Sequence, residues 1–211
     1  MNYRLLATSG LAVTLALSAA ACSSSGSSSS SSPATSAPAS SPAASSPASG
    51  AAAVDFGPAC SAVPTTGAGS FTGMSTAPVA TAASANPVLS TLVTAVTKAG
   101  LVDTLNSAPA ITVFAPDNAA FAKIPSATLA KVLADKAELT KILTYHVAMG
   151  RYTPAQLAAG APIKTLEGAT IAPARMGATY EVNSADVVCG NVQTANATVY
   201  ILTTVLMPPS P

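Results

Sequence analysis

His146 is the single histidine among 211 residues, and so the one side chain whose ordinary pKa lies near neutrality. It stands between Tyr145 and Val147. To act as a general base it would need a nucleophile within hydrogen-bond reach and a third group to orient it. No Gly-x-Ser-x-Gly elbow provides the nucleophile with its usual local frame. A metal site would draw on several imidazoles, thiolates or carboxylates, and no second imidazole exists to join this one. Asp117 and Asn118, which follow Ala115-Pro116, offer one carboxylate and one amide, far short of a calcium cage of about six oxygens. They read better as a helix cap with internal hydrogen bonding. No catalytic residue, metal or cofactor is expected. Two readings stay open for His146: a core-side histidine held by hydrogen bonds to a nearby polar or backbone group, or a residue that contacts a partner.

Cys22, Cys60 and Cys189 make an odd number of thiols, which an exported chain must account for. Residues 1–21 read as an export signal. Arg4 and the free amine supply positive charge, Leu5 to Leu17 is apolar, and the small residues Ser18, Ala19, Ala20 and Ala21 follow. The apolar run is short for a membrane span. Cys22 comes directly after it, an arrangement that resembles a bacterial lipoprotein signal, in which the thiol is acylated and becomes the new N-terminus. Ala19 stands where such signals usually carry leucine. Cleavage after an Ala-x-Ala site, releasing a secreted product, is the alternative. Acylation of Cys22 leaves Cys60 and Cys189 as a pair in an oxidising compartment, and a bridge between them would stabilise by roughly 4–5 kcal/mol in the chain-entropy model. Two free thiols are the other arrangement.

From Ser23 to about Gly50 the chain contains only Ser, Ala, Pro, Thr and Gly. Such a segment has too little apolar surface to offset the entropy of ordering it, and its Ser-Pro and Ala-Pro steps stiffen it toward polyproline geometry. Residues 22–54 therefore read as an acylated cysteine followed by a disordered tether that holds a domain off the membrane. A neutral linker is the plainer alternative. Arg4 is the sole charged side chain before Asp55, so the tether and the folded part divide by composition. Overall the net charge is +1 and the charged fraction 8%, against about a quarter in ordinary domains. No basic surface is available to neutralise several phosphates, which excludes a nucleic-acid partner. Aromatics are 4%, so the core must be built from Val, Leu and Ile.

Beyond residue 60 the spacing predicts helices first and strands later. Asn86-Pro87 caps a helix with Leu89, Leu92, Val93 and Val96 on one face, and Gly100 closes it. A further turn or two covers Leu101 to Leu105. Ile111-Thr112-Val113-Phe114 reads as a strand ended by Pro116, and Asp117 caps a short helix through Phe121. Leu129, Val132 and Leu133 continue helically. Asp135 with Glu138 resembles a capping box for a helix lined by Leu139, Ile142 and Leu143. Tyr145-His146-Val147 reads as a strand, and Thr153-Pro154 starts another short helix. From Ile163 the period becomes two, with strands at Ile163–Leu166, Thr170–Ala172, Thr179–Val182, Asp186–Val188 and Val199–Leu206. Cys189, before Gly190, falls at a predicted turn. Thr194-Ala195-Asn196 reads as a turn with Asn in a left-handed position. Asn196-Ala197-Thr198 also fits the N-glycosylation pattern, which we read as coincidence. Tyr152, Tyr180 and Tyr200 are scattered singly and read as packing residues. Helices before strands give an α+β fold.

Three stretches together resemble a fasciclin (FAS1) domain. They are Ile111-Thr112-Val113-Phe114-Ala115-Pro116-Asp117-Asn118-Ala119-Ala120-Phe121, then Ile142-Leu143-Thr144-Tyr145-His146-Val147, and last Ala185-Asp186-Val187-Val188 with Val199-Tyr200-Ile201-Leu202 and Val205-Leu206-Met207-Pro208. The resemblance covers about residues 70–208, leaving 55–69 as a lead-in that carries Cys60. The mature chain is similar in look to the secreted and lipid-anchored fasciclin-type surface antigens of mycobacteria. Where the family often has Gly in the turn before the final strand, this chain has Asn196-Ala197. The resemblance implies a wedge of two short β-sheets flanked by helices, and non-catalytic adhesion or matrix contact outside the cell. It also associates the Tyr145-His146 segment with adhesive contact and, by setting both signatures at the ends of adjacent core strands, implies the Asp117-Asn118 turn as the hydrogen-bond partner of a buried His146. The expected partners are the membrane, through the lipid anchor, and an unidentified extracellular-matrix, cell-wall or host-surface protein. The second functional reading is an envelope carrier or sensor of an apolar, lipid-like ligand. An exposed patch would favour adhesion, and a closed apolar pocket of several hundred cubic ångströms would favour a carrier.

Overall fold

The computed structural model describes residues 54–209. The export signal, Cys22 and the tether up to residue 53 lie outside the described residues. Helices form where apolar side chains recur every three or four positions. α1 (Phe71–Ser75) is capped by Ser70, whose hydroxyl accepts from Gly73 N–H. α2 (Val79–Ser84) buries Val79 and Ala82. A 3₁₀ turn at Pro87–Leu89, capped by Asn86, leads into α3 (Ser90–Ala99), which buries Leu92, Ala95, Val96 and Ala99. Gly100 ends α3 in the left-handed conformation, φ 75°, which a side chain would strain. α4 (Val102–Ser107) follows, and β1 (Ile111–Pro116) is buried along its whole length.

α5 (Asn118–Ala122), α6 (Ser126–Ala134) and α7 (Lys136–Tyr145) separate β1 from β2 (Val147–Met149). The expected Tyr145-His146-Val147 strand is therefore corrected. Leu139, Ile142, Leu143 and His146 continue one helical face, so the helix runs through Tyr145, His146 caps it, and only Val147 enters the sheet. α8 (Pro154–Ala158) starts at a full capping box, with Thr153 and Gln156 each accepting from the other's backbone N–H.

The strand-rich half forms β3 (Ile163–Lys164), β4 (Thr170–Ile171), β5 (Pro173–Met176), β6 (Thr179–Val182), β7 (Ala185–Gln193) and β8 (Ala197–Leu202). One sheet has six strands in the order β2-β1-β8-β7-β6-β5, and β3 pairs β4 in a second of two strands. β1 and β8 run parallel from Ile111↔Ala197 to Pro116↔Leu202, and the other pairs are antiparallel. Both central strands are wholly buried, which is why they read as unbroken apolar runs. Two features differ from the sequence reading. β5 falls on a stretch that the sequence reading leaves without a strand, since Pro173-Ala174-Arg175-Met176 at a sheet edge lacks the apolar alternation of a core strand. Cys189, expected at a turn, sits inside β7, where two register shifts, between Val187 and Cys189 and between Cys189 and Val192, supply the bend.

Period two divides the side chains of the central strands between two cores. Val113, Ala115, Val199 and Ile201 face α2, α3 and α7, with Leu92, Ala95 and Ile142. Phe114, Tyr200 and Leu202 face the other way, toward Tyr145, Leu157, Ile163, Ile171 and Val182. The large sheet thus lies between a helical layer and a layer made of α8 and the small sheet, an α+β fold.

Candidate functional site

α7 is positioned at both ends. At its start the Asp135 carboxylate accepts from Ala137 N–H at 2.9 Å and Glu138 N–H at 3.1 Å. At its end the backbone of His146 ties α7 to β1, its carbonyl accepting from Phe114 N–H at 2.8 Å. The imidazole is 2% exposed and both its nitrogens are used. Leu206 N–H, which can only donate, points at Nε2 from 2.9 Å. Nε2 is therefore the acceptor nitrogen, and Nδ1 carries the proton that bonds Ile142 O at 2.8 Å. Burial lowers the His146 pKa to about 4, the bond to Ile142 pulling less strongly the other way. The ring is neutral at pH 7, and its one basic nitrogen is occupied by backbone.

The Asp117-Asn118 turn, expected to hold His146, does other work. Asp117 Oδ1 accepts from Ala120 N–H at 2.6 Å and so caps α5. Asn118 Oδ1 accepts from Thr91 N–H at 3.0 Å while its Nδ2 donates to Pro87 O at 2.8 Å, fixing the start of α3. These oxygens cap helix ends. Among the described residues no group of three or more His, Cys, Asp or Glu is placed to hold a metal ion, and no helix is long and apolar enough to cross a membrane.

Tyr145, the other half of the expected contact pair, is likewise 2% exposed. Its hydroxyl donates to Thr170 O at 3.2 Å and accepts from Asn183 Nδ2 at 2.7 Å. Asn183 and Ser184, at φ 46° and 64°, form the two-residue turn between β6 and β7, so Tyr145 braces that hairpin from inside. Contact of Tyr145 or His146 with an outside partner would require the fold to open.

His146 borders an apolar hollow between α2, α3, α4 and β1, lined among others by Val79, Leu92, Leu105, Val113 and Leu166, with a volume of about 60 Å³. Drug-sized and lipid-like ligands occupy pockets of roughly 300–1,000 Å³.

Three anchoring residues escaped the sequence reading. Asn196 is not in the left-handed region. Its Oδ1 instead accepts from Val79 N–H at 2.8 Å, and its Nδ2 donates to Leu105 O at 2.7 Å and Ala108 O at 2.8 Å, joining α2, α4 and the entry to β8. The amide nitrogen that a glycan would take is thus engaged. The other two are Phe56 and Gly190, bridged by mutual backbone hydrogen bonds beside Cys60 and Cys189. The two cysteines are joined, with Cα atoms 4.9 Å apart across 129 positions of sequence. Nothing in residue type advertised either anchor, except that Gly190 follows a cysteine in an apolar run.

Comparison with known proteins adds three kinds of likeness. The fasciclin domain family matches residues 87–208. Immunogenic protein MPT70 of Mycobacterium tuberculosis is 48% identical over 99 residues, 47% of this chain and 50% of that protein. Cell surface glycolipoprotein MPB83 of Mycobacterium bovis is 48% identical over 99 residues, 47% of this chain and 44% of that one. The chain thus spans about half the length of the curated relatives it matches. A FAS1 domain pair from the insect cell adhesion molecule Fasciclin I superposes with a TM-score of 0.54 at 18% identity, covering 64% of this chain and 52% of that one. At that identity the likeness concerns the fold alone.

Proposed function

The chain belongs to the fasciclin domain family, and on that premise we propose that it is a non-catalytic interaction module displayed outside the cell, contacting matrix, cell-wall or host-surface protein. The observation that favours this reading over a lipid carrier is the size of the apolar hollow, about 60 Å³, well under the roughly 300–1,000 Å³ of sites that enclose drug-sized ligands. The engagement of both His146 nitrogens by backbone supports a non-catalytic role. The names of its relatives, an immunogenic protein and a cell-surface glycolipoprotein, support display outside the cell. Export by residues 1–21, acylation of Cys22 and a Ser/Ala/Pro tether before the folded domain complete the proposal. Because Tyr145 and His146 are enclosed, we place the contact on exposed surface of the domain rather than on that pair.

The test uses the full chain extracted from membranes and the 55–211 fragment. We expect saturable binding of the fragment to a matrix-protein or cell-wall fraction, no co-purifying lipid in native mass spectrometry, and an acylated N-terminal peptide beginning at Cys22. A stoichiometric apolar ligand without saturable surface binding would replace adhesion with carriage. An unmodified peptide starting elsewhere would remove the anchor.

A further inference from the structure

From Thr204 to Pro209 the chain has no regular secondary structure. Among the described residues this stretch is held by a hydrogen bond from Leu206 N–H to His146 Nε2 at 2.9 Å. Around it Val205 and Leu206 are buried, and Val205 and Met207 close a second small apolar hollow that His146 also borders. The bond depends on a neutral imidazole. With Nδ1–H committed to Ile142 O, an arriving proton has only Nε2 to occupy, and two donors would then face each other in a buried site.

We propose that His146 is an acid-operated latch: protonation of its ring releases the segment from Thr204 to Pro209 and uncovers the apolar hollow beneath Val205 and Met207. Among the described residues no charged side chain lines either hollow that His146 borders. Lys98 on α3, Asp117 and Lys123 bounding α5, and Lys136, Glu138 and Lys141 on α7 line neither hollow bordered by His146, and nor do Asp103 on α4, Lys131 on α6 or Glu167 beside Leu166. Lys123 Nζ donates to Thr203 O at 2.8 Å, which pins the segment just before the latch and makes residue 203 its hinge. The inference stands apart from the adhesive reading, since it concerns how the C-terminal segment is held and not what the domain binds.

In the closed state the imidazole titrates at about 4, and in water near 6.5. If opening returns the ring to water, the opening equilibrium should rise about 30-fold between pH 8 and pH 5 and level off near 300-fold below pH 4. The experiment follows amide hydrogen exchange of Leu206 in the full chain across this range, corrected for intrinsic rates, together with the ¹⁵N shifts of the His146 ring. The expected result is a ring protonated on Nδ1 alone at pH 7 and a Leu206 protection that falls with acid while Val113 and Tyr200 stay protected. Protection of Leu206 that is flat with pH, or lost together with Tyr200, overturns the latch. So does a ring that carries its neutral-pH proton on Nε2. In His146→Gln, an amide that can still accept from Leu206 but does not titrate, the pH slope of Leu206 should vanish. A slope that persists would assign the effect to carboxylates and also overturn the proposal. If that variant does not fold, the measurements on the unaltered chain still decide.

Discussion

Phe56 and Gly190 exchange two backbone hydrogen bonds, Phe56 N–H to Gly190 O at 3.2 Å and Gly190 N–H to Phe56 O at 2.7 Å, and the Phe56 ring fills the space that a Gly190 side chain would need. The pairing occurs where β6 has stopped covering β7, its last pair with that strand being Tyr180↔Val187. The lead-in therefore shields a stretch of open strand edge. Its ring also packs on Tyr180 and Tyr200, with centroids 4.8 and 6.4 Å away.

Gly190→Ala should displace that ring. We expect a loss of about 1–3 kcal/mol, or roughly 3–10 °C in melting temperature for a domain of this size. Phe56→Leu in the same background should recover part of the loss, because the added methyl then meets a smaller side chain. Thermal unfolding of the two single variants, the double variant and the parent checks it. A Gly190→Ala protein as stable as its parent would mean that the ring is free to move.

Reduction of Cys60–Cys189 should lower stability by up to roughly 4–5 kcal/mol in the entropic model, because the bond closes a loop across 129 positions. Most secondary structure should persist, since every fully buried residue of the two cores that enclose β1, β8 and α7 comes after Cys60, with Phe56 only packed against one of them. Urea midpoints and far-UV circular dichroism with and without reductant test this. Complete loss of the sheet signal would show that the lead-in is integral to the folding unit.

Stability should depend on pH through His146. Its folded pKa of about 4 lies below the ordinary 6.5, so as pH falls the unfolded chain takes up the proton first. The contribution is complete above about 6.5, declines between there and 4, and is lost below, about 3 kcal/mol in all. Unfolding free energies of the parent and of His146→Gln, measured from pH 8 to pH 4, should diverge in slope over that window. Parallel curves would refute the assignment.

Asn196→Ala removes an acceptor for Val79 N–H and the donor to Leu105 O and Ala108 O. We expect a cost of about 2–3 kcal/mol, as partly buried groups on α2 and α4 lose partners. Asn196→Asp keeps the acceptor but sets an ionised oxygen against Leu105 O and Ala108 O, and should cost at least as much at neutral pH. Chemical denaturation orders the three proteins, and an Asp variant as stable as the parent would mean that the Nδ2 contacts carry none of the effect.

Tyr145→Phe should cost about 1–2 kcal/mol by leaving Asn183 Nδ2 without the hydroxyl it donates to. Surface binding of the folded variant should match the parent. A stable Tyr145→Phe protein with lost binding would return this residue to the contact site.

Much of the architecture was legible in residue order, because it rests on local periodicity. Leu89, Leu92, Val93 and Val96 with Gly100 announce α3, Asp135 announces the start of α7, and the apolar runs Ile111–Phe114 and Val199–Leu202 announce buried central strands. Tertiary structure alone decided what the polar groups do. His146 meets Leu206 through a backbone N–H, a group that every residue but proline carries, so no side-chain type sixty positions away could mark the partner. Asn118 and Asn196 serve helix ends far along the chain for the same reason, and Phe56 seats over Gly190 only because β6 ends where it does. Periodicity is a property of neighbours and survives in one dimension. Hydrogen-bond partnership across the fold depends on which backbone groups the packing leaves unpaired, and that is settled only when the layers close.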